Sequence, residues 1–157
     1  MAKTRVKITD SKKKWNQLES TMRLLSGKGM SVFVGILEED FNKPHAEGKT
    51  TLGKVATFNE FGTSRIPARS FIRAPFDAHQ GYEKLRNSLL KRVVSGVLTI
   101  DSALNILGSS IAKSFIKNIN DGIEPANAES TVDRKLSDLT LVDTGEMRDH
   151  ITYKITK

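Results

Sequence analysis

Residues 82–119, YEKLRNSLLKRVVSGVLTIDSALNILGSSIAKSFIKNI, decide the architecture. Tyr82, Leu85, Leu89 and Val93 recur at steps of three and four, the spacing that puts side chains on one face of a helix. Ser95-Gly96 interrupts the pattern. A second stripe of Leu104, Leu107, Ile111, Phe115 and Ile119 then runs to Asp121-Gly122. Asp101 is placed to cap this second helix. Pro75 suits the first position of the leading helix, and the short link between opposed stripes predicts a helical hairpin.

Strands are expected on either side of the hairpin. Ser31 to Leu37, SVFVGIL, is β-branched and apolar, and Gly35 within it signals a bulge or a close backbone approach. From His150 to Thr156, Ile151, Tyr153 and Ile155 alternate on one face as a terminal strand. The fold class is therefore α+β: a small, mainly antiparallel sheet packed against a long helical hairpin, with extended loops and a basic N-terminal arm. Residues 1–14 form the arm and 15–157 a single domain, long enough to bury a real core.

The remaining segments are shorter. Trp15, Leu18, Met22 and Leu25 make a helical stripe ended by Ser26-Gly27, with Trp15 expected in the core rather than at a ligand site. Glu38 to Thr51 reads as a mobile loop or a long hairpin tip. Leu52 to Phe61 forms a short helix with Gly62 as its left-handed stop. Residues 123–142 are polar and turn-rich, with a short helix around Ser130 to Leu136.

Composition narrows the function. Only 38% of the residues are hydrophobic, which leaves a sizeable share for arms and loops. The absence of cysteine excludes a disulfide framework and a thiolate metal site. No apolar run approaches a membrane span and the N-terminus lacks a signal-peptide core, so synthesis is expected in the cytosol. The net charge of +7 arises in two blocks, 1–14 and 65–92, while the rest is nearly neutral. Lys12, Lys13 and Lys14 on the arm and Arg86, Lys91 and Arg92 on the first hairpin helix could meet DNA or an acidic partner. A solvated tail and a solvated helix face are the commoner origin of such runs.

No catalytic set emerges, and no enzyme, cofactor or metal is expected. His45, His79 and His150 are far apart, without metal-ligand spacing. Glu38-Glu39-Asp40 reads as a solvated loop before it reads as a cation site. Asp143-Thr144-Gly145-Glu146 resembles half of a carboxylate pair. The preferred reading is a turn in which Asp143 or Thr144 accepts backbone N–H groups opening a short helix. A hydrolase would rest on Glu38, Asp40, Asp143 and Glu146 alone.

One stretch has no equivalent elsewhere in the chain. Phe58 to Phe76, FNEFGTSRIPARSFIRAPF, holds four of the seven phenylalanines beside three arginines and two prolines. It reads as a rigid docking platform. Phe58, Phe61 and Phe76 are expected in the core, and Phe71, flanked by Arg69 and Arg73, at a contact with another subunit.

Two motifs, VATFNEFGTSRIPARSFIRAPFDAH and IEPANAESTVDRKLSDLTLVDTGEMRDHITYKI, together resemble the neck and tail-completion proteins of long-tailed double-stranded DNA bacteriophages. That family is also described as head–tail connector, minor tail or virion-morphogenesis proteins. The resemblance covers Val32 to Ile155. The family's glutamate–phenylalanine–glycine–threonine turn falls on Glu60, Phe61, Gly62 and Thr63, and its proline–aromatic stretch on Pro67, Ala68, Arg69, Phe71 and Ile72. Ser70 stands where a second proline is common. The second motif falls on Pro125, Asn127, Ser130, Thr131, Arg134, Lys135, Leu141, Asp143, Thr144, Gly145 and Met147, with His150 in place of a usual serine.

The resemblance implies a virion structural protein that forms a ring, commonly sixfold, where the tail meets the DNA-filled head. Its partners would be copies of itself, other neck and tail proteins such as the head-closure or connector protein, the tail terminator and the tail tube, and packaged DNA. Glu60, Phe61, Arg65, Pro67, Arg69, Phe71 and Arg73 are the expected subunit interface. Gly62, Thr63, Asp143, Thr144 and Gly145 are the expected structural turns. The alternative function is sequence-independent DNA binding through the basic arm and basic helix.

Overall fold

The computed structural model describes residues 12, 15–16, 19, 22–23, 29–45, 50–78, 81–133 and 139–156. Its organising element is the hairpin of helices α4 (Gly81–Val94) and α5 (Ile100–Asp121). Tyr82, Leu89 and Val93 are buried on α4, and Ile111, Phe115 and Ile119 on α5. The stripes read from the sequence thus face inward because helical spacing gives them no other common face.

Strands β1 (Ser31–Ile36) and β4 (Ile151–Thr156) pair antiparallel and lie against α5. The register puts Val32 opposite Ile155, Val34 opposite Tyr153 and Ile36 opposite Ile151. One sheet face therefore packs on the helix, and the other carries Phe33 and Lys154, which are opposite each other and exposed. Gly108 sets how closely helix and sheet approach. A Cβ there would lie 2.5 Å from Tyr153 Cδ2 and 2.8 Å from Val32 Cγ2. β1 runs without a bulge, and a Cβ on Gly35 would meet Ile72 Cδ1 at an ordinary 3.5 Å, so neither a bulge nor a close approach explains this glycine; its φ of 143° does.

Between the strands the chain forms α1 (Glu38–Phe41), a hairpin of β2 (Pro44–His45) with β3 (Thr50–Thr51), α2 (Leu52–Phe61) and α3 (Arg73–Ala78). The hairpin-tip reading of 38–51 is thus the nearer one, with a turn of helix before it. α6 (Glu129–Val132) and α7 (Glu146–Asp149) follow the long hairpin. The main core joins Leu52 and Ala56 of α2, Phe71, the inner face of α5, Met147 of α7 and Ile151 of β4. A second cluster of Leu89, Val93 and Ala103 closes the far end of the hairpin.

Three expectations need correction. The cap of α5 is Thr99, whose Oγ1 accepts the Ser102 N–H at 3.1 Å, and Asp101 lies inside the first turn. Helical geometry begins at Arg73, two residues before Pro75, which a proline in the first turn tolerates. Trp15 is helical but 64% exposed, and Met22 on the same stripe is 60% exposed. The described core closes between α2, α5, α7 and the sheet without them. Lys13, Lys14, Leu18, Leu25, His79, Arg134 and Lys135 lie outside the described residues. Among the described residues, no helix is long and apolar enough to cross a membrane.

Candidate functional site

The segment after α2 is organised by one carboxylate. Leu52, Ala56 and Glu60 recur every four residues on the inner face of the helix, and Glu60 is only 6% exposed. Its Oε2 accepts the N–H groups of Phe71 at 2.9 Å and Ile72 at 3.0 Å. Its Oε1 accepts the Arg73 N–H at 3.0 Å and the Ser70 hydroxyl at 2.6 Å. Ser70 Oγ in turn accepts the Ala74 N–H at 2.8 Å, which caps α3. Burial pushes the Glu60 carboxyl up, but Ser70 and the three backbone donors outweigh it and hold it below the ordinary glutamate value.

Gly62 makes the return of the chain possible. It adopts φ 76° and ψ 173°, a region open in practice to glycine alone. A Cβ there would stand 2.8 Å from the Ala68 nitrogen. The positive φ of the expected stop is present, while its ψ lies outside the left-handed helical basin. Thr63 Oγ1 then accepts the N–H groups of Arg65 at 3.2 Å and Ile66 at 3.0 Å, closing the turn.

Arg69 joins the two sequence motifs. Its Nε donates to the Pro125 carbonyl at 2.7 Å and its Nη2 to the Ala126 carbonyl at 2.9 Å. Its own N–H donates to the Asn59 carbonyl at 2.6 Å. Beside it lies a cleft of about 580 Å³ with residues of both motifs in its walls, including Arg65, Pro67, Asn127, Thr131, Asp143 and Thr144. At its edge, Thr144 Oγ1 accepts the Glu146 N–H at 3.3 Å, and Gly145 takes φ 84° as α7 begins. This is the structural turn expected of Asp143-Thr144-Gly145, with Thr144 as the acceptor. His45 Nδ1 lies 2.6 Å from Glu146 Oε2, which sets the β2–β3 hairpin beside α7, although the pair lacks hydrogen-bond geometry.

These positions divide the expected interface. Glu60, Arg69 and Phe71 are not contact residues: all three are buried, and their polar groups are spent within the chain. Arg65 and Pro67 are exposed at the cleft, and Phe61 and Arg73 are exposed on the outside. The assignment of phenylalanines is reversed. Phe71 is fully buried, whereas Phe58, Phe61 and Phe76 are exposed. With Glu60 on the inner stripe of α2, Phe58 and Phe61 turn outward, while Arg69 and Phe71, two residues apart, are both buried.

Compared with known proteins, the chain matches no protein-family model, no curated protein and no solved structure.

The exposed aromatics of this segment are Phe58, Phe61 and Phe76. Phe58 and Phe61 lie one turn apart on α2. The Arg73 guanidinium sits 5.3 Å from the centre of the Phe61 ring, and Phe76, one turn on, stacks on Tyr82 at 5.3 Å. Sequence reasoning missed Glu60 as the organiser. The available signal was its place four residues beyond Ala56 on the apolar stripe, where an acid needs donors to be buried. Among the described residues, no group of three or more histidine or acidic side chains could hold a metal ion. Lys12, Arg86, Lys91 and Arg92 are exposed.

Proposed function

We propose that the protein is a structural component of a phage virion. It forms a ring, sixfold by family resemblance, at the head–tail junction, where it completes the tail end or joins tail to head. Its role is assembly rather than catalysis. The observation that carries this reading is the outward aromatic–arginine face of Phe58, Phe61, Arg73 and Phe76. Aromatic residues and arginine are the side chains enriched at protein interfaces, and here they stand on a rigid, internally bonded base. A closed ring needs two different patches per copy, and this face supplies one of them. The contact between the two resembling motifs, through Arg69 and the 125–126 carbonyls, supports reading them as one unit.

Negative-stain microscopy and mass photometry of the protein, alone and with purified tails, test the proposal. Rings or tail-end density are expected. A monomer that attaches to neither tails nor heads overturns it. Exposed Arg86, Lys91 and Arg92 on α4 favour a second reading, sequence-independent DNA binding. That reading requires affinity that falls steeply with salt, and it fails if no complex with DNA forms at low salt.

A further inference from the structure

The β1–β4 sheet is open on both edges. Among the described residues, no third strand borders it, and no backbone hydrogen bond outside the β1–β4 ladder involves Ser31–Ile36 or Ile151–Thr156. In an antiparallel pair every second residue turns its N–H and C=O to the outer edge, so each strand keeps donors and acceptors to offer. Burial falls along the pair. Gly35 and Ile151 are buried at one end, whereas Ser31 and Thr156 are exposed at the other, with Phe33 and Lys154 exposed between. Edges left in water are normally blunted by a proline, a bulge or a free charge. β1 and β4 contain no proline and run in unbroken register, and Lys154, the one charged residue on either strand, is paired with Glu39 of the same chain.

We propose that the outer edge of β4 takes up β1 of a second copy of this chain, so that successive copies build one antiparallel sheet. The strand that fits β4 is already on view, because β1 pairs with its inner edge along all six residues. There Val32, Val34 and Ile36 stand opposite Ile155, Tyr153 and Ile151. Side chains stand above and below a sheet, so the outer edge of β4 presents the same alternation as the inner one. A second β1 laid there repeats those pairings and keeps the apolar faces on one side. Its own β4 is then the next free edge, and the strand directions go on alternating. Phe33, 56% exposed in a single copy, gains the stem of the neighbour's lysine at position 154 beside its ring. Each copy gives its β1 edge to one neighbour and its β4 edge to the other. That is a heterologous contact, which makes a ring where the rotation closes. The inference rests on the ring reading above and names a contact that would hold the ring.

The test uses the lack of cysteine. Phe33→Cys, Thr152→Cys, Lys154→Cys and Thr156→Cys each change an exposed strand residue of the full-length protein. Phe33→Cys is mixed with each of the other three and oxidised, at high protein concentration and on purified tails. A disulfide-linked mixed dimer with one of the three is expected, since Cβ atoms of directly opposed residues lie about 4.5–5.5 Å apart. The three β4 positions cover the registers that keep the apolar faces together. In the natural chain, hydrogen exchange at alternate amides of 31–34 and 153–156 should slow on assembly. Amides that exchange equally fast before and after assembly overturn the proposal whatever the variants do. So do dimers of Phe33→Cys with itself, or of a β4 variant with itself, in place of the mixed product, because they report like-with-like pairing. Rings that form without the mixed crosslink refute this contact and leave the ring reading standing. The mixed crosslink without rings or tail attachment upholds this contact and overturns the ring reading.

Discussion

On the inner side of residues 58–76, Phe71 has no exposed surface, whereas on the outer side Phe61 leaves 63% of its surface open. The two rings lie within one motif and differ in what the backbone next to them needs. Around Phe71, three consecutive N–H groups and the Ser70 hydroxyl converge on Glu60, so the chain is drawn inward and the ring with it. Around Phe61, the Arg73 guanidinium lies 5.3 Å from the ring centre. The inner side thus spends its polar groups on holding a shape, and the outer side keeps its apolar groups unspent. If this comparison is right, substitutions on the inner side cost stability, and those on the outer side cost assembly.

The largest loss is expected for Phe71→Ala. Removing a fully buried phenylalanine costs about 3–5 kcal/mol, read by urea unfolding of the purified protein. A loss below about 1 kcal/mol would show that the inner side is not the scaffold. Glu60→Gln follows, at about 2–4 kcal/mol, because the amide keeps one acceptor oxygen and points N–H groups at backbone N–H groups. Its signature is pH dependence. The Glu60 carboxyl is held low in the folded chain, so its contribution is complete above the ordinary glutamate value of about 4.3 and is lost as pH falls through the lower folded value. The stability gap between the natural chain and Glu60→Gln should therefore narrow in acid. A gap that is constant from neutral pH to pH of about 3 would contradict the anchoring role.

Arg69→Lys probes the junction of the two motifs. Lysine keeps the charge but cannot present two N–H groups in a fixed fork to the Pro125 and Ala126 carbonyls. A loss of about 1–2 kcal/mol is expected. Proteolysis should show the 123–133 segment cut faster than in the natural chain. An unchanged cleavage pattern would mean that the segment is held by other contacts.

The helices and strands were legible because punctuation and period agree. Leu52–Phe61 sits between Thr51, whose Oγ1 accepts the Lys54 N–H, and Gly62, whose φ is positive. The two hairpin stripes follow the 3.6-residue period with no competing residue. The cap of α5 was less legible because Thr99 and Asp101 are both capping types, and only the traced chain puts the Thr99 hydroxyl on the Ser102 N–H. The faces of 58–76 were illegible for a deeper reason. Periodicity ranks phenylalanine inside and glutamate outside, yet here four donors satisfy a buried glutamate while Phe58 and Phe61, one turn apart, stay exposed. Those donors come from residues ten or more positions later in the chain, beyond the reach of any local pattern.

Phe61→Ser gives the smallest change in stability and the sharpest test of the outer side. The ring is mostly in water, so its removal forfeits little buried area and one surface cation–π contact, about 0.5–1 kcal/mol in all. The unfolding midpoint should hardly move. If the outer face docks on a neighbouring copy or on the tail end, the same substitution removes an aromatic from the centre of that contact, where single truncations cost about 2 kcal/mol or more, some thirtyfold in affinity. Ring formation or tail binding should then weaken by that order while the monomer stays folded. The opposite pattern, a destabilised chain that still assembles, would exchange the roles of the two sides and return the contact to residues that the fold has already consumed.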